Sequence, residues 1–123
     1  MIKIVFYRQG DAFWGFEESG HAGYAESGDD IICSAVSAMS MLVINTVEVS
    51  YAANIDYRVD ESTTDVTVCC KSALPQYETD EAKRFAVSGL FYGYYLQLME
   101  LLEDYYEYLD VSLVEKHCDD SDM

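Results

Sequence analysis

A chain of 123 residues has the length of a single domain, and with half of them apolar and 14% aromatic it can close a core; global disorder is excluded. Its 23 acidic against 7 basic residues give a net charge of −16. That balance argues against nucleic acid as a partner, since such binding rests on neutralising phosphates with lysine and arginine, and it favours encounter with basic peptides or proteins.

Residues 2–8 (IKIVFYR) alternate and read as a strand; residues 9–11 turn, and residues 12–18 (AFWGFEE) form the hairpin partner. Residues 19–28 (SGHAGYAESG) read as a loop, after which Asp29 or Asp30 caps a helix running to about Ser50. Beyond Met41 this helix is apolar nearly all round, the pattern of a central buried helix. Residues 54–60 and 64–70 are a second pair of alternating segments joined at 61–63. Pro75 marks a boundary, and Thr79 caps a second helix to about Leu109, with Asp80 and Glu81 in its first turn. Gly89 and Gly93 fall on one helical face, a spacing that permits close backbone packing or a kink. Residues 111–115 make a last strand and residues 117–123 a frayed acidic tail. The order β-β-α-β-β-α-β predicts one α+β domain over residues 1–116, a mostly antiparallel sheet with two α-helices packed on it.

Cys33, Cys69, Cys70 and Cys118 are the four cysteines, without a C-x-x-C pair, and the first strand carries no apolar run of signal-peptide length. The expectation is a cytoplasmic protein with reduced thiols. The apolar run over residues 31–47 is interrupted by serines and an asparagine, so a membrane span is not expected.

One of the two histidines, His21, precedes Cys33 across the glycine-bearing loop. With Asp30 as N-cap, Cys33 is the third helical residue, near unsatisfied N–H groups that lower a thiol pKa. Asp30, Cys33 and Ser37 then lie on one stripe, and Ile32, Ala35, Met39 and Val43 on the apolar side. A carboxylate about 6 Å from the sulfur opposes ionisation by roughly 3 kcal/mol at an effective dielectric near 20. A helix terminus returns only about 0.3–1 kcal/mol, up to about 2 in favourable geometry. A thiolate at neutral pH therefore needs a cation beside it, and His21 is the candidate. Thiolate, imidazolium and a carboxylate that either caps the helix or orients the ring form a chemically coherent unit. The residues alone leave open a small buried cysteine near an ordinary loop histidine.

The stretch Gly20-His21-Ala22, Gly28-Asp29-Asp30-Ile31-Ile32-Cys33 and Ser34-Ala35-Val36-Ser37 resembles the ribosomal-processing cysteine protease family, Prp. The resemblance implies a Cys/His peptidase with Cys33 as nucleophile and His21 as base, with Gly20, Asp30 and Ser37 in supporting roles. It implies removal of the N-terminal extension of a basic protein, large-subunit ribosomal protein number twenty-seven. It also implies a homodimer, a mobile loop over residues 22–29 and no cofactor. A non-catalytic acidic binding module or assembly factor for a basic ribosomal protein is the competing class.

Other candidates carry less. His117 and Cys118 are adjacent in the tail, and the thiols and histidines lack metal-ligand spacing. A redox sensor lacks a suitably spaced resolving cysteine. The tyrosines of the second helix exceed the need of one small core and fit an interface or groove as well. Glu100, Glu103, Asp104, Glu107 and Asp110 read as a solvated face or a contact for basic substrate.

Overall fold

Alternation in the first two segments produces the sheet that carries everything else. In the computed structural model, which describes residues 1–20 and 27–122 (the side chains of 27–29 excepted), β1 (Ile2–Gln9) pairs antiparallel with β2 (Ala12–Ser19). Ile2, Ile4 and Phe6 are buried on one face. The register shifts after Tyr7, which pairs with Gly15 while Arg8 pairs with Phe13. This bulge at Trp14 lets Phe13 and Phe16 both reach the Phe6 ring, at 6.4 and 5.5 Å between centroids. Trp14 turns instead to stack on Tyr7, 5.4 Å away.

β3 (Asp56–Val59) and β4 (Val66–Cys69) form the second hairpin, and β4 continues the sheet antiparallel to β2. α2 (Glu81–Tyr105) is capped by Asp80, whose carboxylate accepts from the backbone N–H groups of Ala82 and Lys83; the cap falls one residue later than the expected Thr79. The helix stops at Tyr105 because the chain must then enter β5 (Leu109–Glu115), which lies parallel to β1. Ile2 N–H donates to Tyr108 C=O at 2.9 Å and locks that corner. The strand order is β3-β4-β2-β1-β5, so the α+β architecture holds, as a mixed sheet with one parallel pairing.

α1 (Ser27–Asn45) continues through a π-helical turn at Thr46–Ser50. Ile32, Val36, Val43 and Val47 make its buried stripe. It is not buried all round: Met41 is 44% and Leu42 59% exposed, so the expectation of a central helix gives way to a helix with one core face. By length and composition residues 30–50 also suffice to cross a membrane, with mean hydropathy 1.6. A third of that window is nevertheless buried within the domain. Gly89 and Gly93 make no close backbone approach; a Cβ at either meets nothing within 4 Å, and both line an open groove between α1 and α2.

The C-terminal segment is docked rather than frayed. Cys118 is fully buried and its N–H donates to Gln9 Oε1 at 3.0 Å. Trp14 Nε1 donates to Lys116 C=O at 3.0 Å, and Lys116 Nζ lies 5.0 Å from the Tyr7 ring centroid. The acidic residues expected to fray instead bond their own turn, with Asp122 holding both Lys116 Nζ and the Asp119 N–H.

Candidate active site

α1 begins at Ser27, so Asp30 is not its cap. Serine and the aspartates suit the first turn of a helix, and the macrodipole draws them into it rather than leaving them before it. Asp30 is exposed, and Cys33 becomes the seventh helical residue instead of the third. The terminal dipole fades within the first turn, so it contributes little to ionising this sulfur. Cys33 is half-buried against the core, and Ser37, one turn on, is exposed. His21 lies outside the described residues, as does most of the expected loop.

Gly20, the last residue before that segment, is fixed by its surroundings. Its φ is +86°, and a Cβ there would stand 2.1 Å from Met1 C=O. Only glycine allows the chain to leave β2 so close to the backbone of β1. What the structure shows for Gly20 is therefore a backbone requirement at the end of β2.

A residue that pattern reading passed over sits beneath this site. Strand alternation puts Glu18 on the same inward face as Phe16, and it is only 2% exposed. Tyr94 OH of α2 donates to Glu18 Oε1 at 2.8 Å, and Ser40 Oγ of α1 donates to the same oxygen. Ser40 Oγ and Tyr94 OH are 2.9 Å apart. Burial first, then the Glu18 charge, pushes the Tyr94 phenol well above its ordinary range. Ser40 interrupts the buried stripe of α1, and this break was the available signal that the helix meets a polar partner there.

Glu18, Ser37 and Ser40 line one side of a cavity of about 280 Å³; Tyr57 and Val59 of β3 and Val66 of β4 line another. The cavity thus opens along the same helical stripe as the thiol, since Cys33, Ser37 and Ser40 follow at four and three residues. Its lining is mostly apolar, with Glu18, Ser37, Ser40 and Thr64 among the polar members. That is the usual composition of a ligand-binding cavity.

The other thiols differ in environment from Cys33. Cys69, Cys70 and Cys118 are buried, and burial pushes the Cys69 thiol up to about 12 and the other two upward. Cys70 Sγ donates to Asn54 C=O at 3.1 Å. They are packing residues. Among the described residues no group of three or more His, Cys, Asp or Glu side chains is placed to hold a metal. Glu100, Glu103, Asp104, Glu107 and Asp110 are all exposed, whereas the tyrosines divide: Tyr94 is core and Tyr92 and Tyr106 face outward.

Comparison with known proteins agrees with this fold. The crystal structure of SMU.848 from Streptococcus mutans superposes with a TM-score of 0.77 at 28% identity, covering 94% of this chain and 99% of the other. The essential ribosomal processing protease Prp from S. aureus, solved with a substrate peptide, superposes with a TM-score of 0.72 at 17% identity, over 94% and 100%. The same protease with a covalently linked product peptide gives 0.71 at 17% identity, over 93% and 100%, and at that identity the likeness speaks for the fold. No curated protein matches the chain. The model of one family, cysteine protease Prp, matches residues 1–110, and the chain belongs to that family of cysteine peptidases.

Proposed function

We propose that this cysteine peptidase removes the N-terminal extension of large-subunit ribosomal protein number twenty-seven, with Cys33 as nucleophile and His21 as base. The observation that carries the reading is the placement of Cys33 on α1, half-buried and one turn from Ser37 at the wall of an apolar cavity, in a chain of the cysteine protease Prp family. The S. aureus neighbour is a ribosomal processing protease solved with a substrate peptide, which supports a peptide substrate of the ribosome's proteins.

In this reading His21 holds the Cys33 proton, and the thiolate attacks the scissile carbonyl to form a tetrahedral oxyanion. Backbone N–H donors, at the start of α1 or in the glycine-bearing loop before it, meet that charge. The imidazolium protonates the departing amine, leaving a thioester. Water, deprotonated by His21, then hydrolyses the thioester and frees the carboxylate and the thiol. Gly20 fixes the departure point of the histidine segment, Ser37 borders the bound peptide, and Asp30 on the exposed face of α1 faces the basic substrate.

The net charge of −16 favours capture of a basic ribosomal protein. The reaction is placed in the cytoplasm, where thiols such as Cys69, Cys70 and Cys118 stay reduced. Two copies associate through the apolar surface between α1 and α2, where Leu42 and Leu96 are 59% and 51% exposed.

The test is incubation with the extended ribosomal protein, followed by mass spectrometry. Loss of a defined N-terminal peptide, abolished by Cys33→Ala, is expected. Binding without a product would identify an assembly factor instead, and unchanged turnover by Cys33→Ala would remove the nucleophile.

A further inference from the structure

Of the three buried thiols, two are packed against each other. Cys69 ends β4 opposite Gly15 of β2. Its neighbour Val68 pairs with Phe16 in the core, on the side where Phe91 and Tyr94 of α2 meet the Phe16 ring, so strand alternation turns Cys69 to the opposite face of the sheet. Cys69 is nevertheless only 2% exposed. The C-terminal segment lies over it: Lys116, Ser121 and Asp122 line one cleft with Cys69, Tyr7 and Trp14. Cys118, fully buried in that segment, has its sulfur hydrogen-bonded by the Cys69 thiol.

The segment is seated by polar anchors from the chain just after Cys69. Gln76 Nε2 donates to Cys118 C=O at 3.2 Å, Tyr77 OH to Asp120 Oδ1 at 2.8 Å, and Lys71 Nζ to Asp120 C=O at 3.5 Å. Cys70 is not a rival partner, since its Sγ donates to Asn54 C=O and its N–H to Trp14 C=O at 2.8 Å. The family match ends at residue 110, so Cys118 lies beyond the part of the chain that the family describes. Hydrogen bonds near a chain end open locally far more readily than a sheet unfolds.

We infer that Cys69 and Cys118 form a redox site: a small-molecule disulfide oxidises the pair to an intramolecular disulfide that staples the C-terminal segment to β4. While the segment is docked, burial raises both thiol pKa values and shuts out the oxidant. When the segment lifts, the Cys118 thiol gives its proton to solvent and the thiolate attacks one sulfur of the oxidant. A mixed disulfide forms and one small thiolate leaves. Redocking brings Cys69, deprotonated in its turn, onto the Cys118 sulfur. The Cys69–Cys118 bond forms, the mixed disulfide breaks, and the second small thiolate leaves. The protein pair has then lost two protons and two electrons, and the small disulfide has taken up both as two thiols. Excess small thiol drives the exchange backwards and restores the cysteines.

Cys33→Ala protein leaves only the three buried thiols and isolates the question from peptidase activity. It is incubated at about pH 8 with oxidised and reduced glutathione in several ratios. Free thiols are then trapped with N-ethylmaleimide under denaturing conditions, and the protein is digested without reductant. Mass spectrometry should find Cys69 linked to Cys118, two hydrogens lighter than the reduced peptides. Closing a loop of about 50 residues should raise Tm by about 10 °C, and dithiothreitol should reverse the rise. In the Cys33→Ala background, Cys69→Ser and Cys118→Ser should each abolish the linkage and the rise in Tm, and Cys70→Ser should abolish neither. The linkage in the Cys33→Ala protein is a test by itself should any of these variants not fold. Maleimide or glutathione adducts without the linkage at every ratio, a linkage through Cys70, or a linkage without a rise in Tm overturns the inference.

Discussion

Replacing Tyr94 with phenylalanine removes one hydroxyl and leaves the ring in place. The phenylalanine keeps the edge contacts to Phe6 and Phe16, whose centroids lie 5.5 and 5.2 Å from that of Tyr94, so apolar burial is nearly conserved. What is lost is the 2.8 Å bond from Tyr94 OH to the buried Glu18 carboxylate. A hydrogen bond to a charged acceptor contributes about 1.5–3 kcal/mol. The unfolding entropy of a chain of 123 residues, at roughly 2.1 cal/mol/K per residue, is about 0.26 kcal/mol/K. A loss of about 2 kcal/mol therefore lowers Tm by about 8 °C. Urea denaturation followed by Trp14 fluorescence gives the free energy directly, with an unchanged m-value expected. The triple variant Glu18→Leu/Ser40→Ala/Tyr94→Phe should recover much of the loss, because replacing these three polar partners together costs less than removing one of them. A Tyr94→Phe variant within about 0.5 kcal/mol of the parent would refute the idea that the hydroxyl supports a buried anion.

Two further outcomes follow from the same structure. Gly20→Ala meets both a φ of +86° and the Met1 carbonyl, whereas Gly10→Ala meets a φ of +60° with nothing within 4 Å. A left-handed backbone costs an L-residue about 1–2 kcal/mol, so Gly10→Ala should lose about that and Gly20→Ala at least twice as much in thermal denaturation; equal losses would dismiss the close approach. The second concerns acid. The Asp119 carboxyl is lowered chiefly by Ser121, and that of Asp122 by the Asp119 N–H and then Lys116. Groups with lowered folded pKa values stabilise above the unfolded value and lose that contribution as pH falls through the folded one. The C-terminal segment should therefore stay docked at neutral pH and release below about pH 4. Trp14 is the single tryptophan and donates to Lys116 C=O, so its emission should shift to the red at that point. Asp122→Asn should weaken the docking already at neutral pH, and emission independent of pH would contradict the assignment.

Where the chain's pattern was strong, it was readable. The alternation of residues 2–8 and 12–18 marks β1 and β2, and the second hairpin falls within its expected segments. The bulge at Trp14 left no compositional sign, since it depends on which aromatic rings α2 has room for. The parallel pairing of β5 with β1 is a long-range choice that local periodicity does not encode. The docking of residues 117–122 turned on Gln9 and Gln76, polar residues far away in sequence that hold Cys118. In the candidate site, Cys33, Ser37 and Gly20 are proposed from motif and spacing. Glu18 was passed over because a charged residue in a strand reads as outward-facing until its neighbour Phe16 fixes the face. Asp30 was misplaced by one turn because Ser27, Asp29 and Asp30 are all competent to start a helix.

If the His21 imidazole keeps the Cys33 sulfur ionised, the rate of iodoacetamide alkylation against pH reveals it. Cys69, Cys70 and Cys118 are buried with raised thiol pKa values, so reaction near neutrality reports Cys33. The expected profile has its midpoint below the ordinary thiol value of about 8.5, displaced upward to that value by His21→Ala. A profile already at the ordinary value, or one that His21→Ala leaves in place, would contradict it.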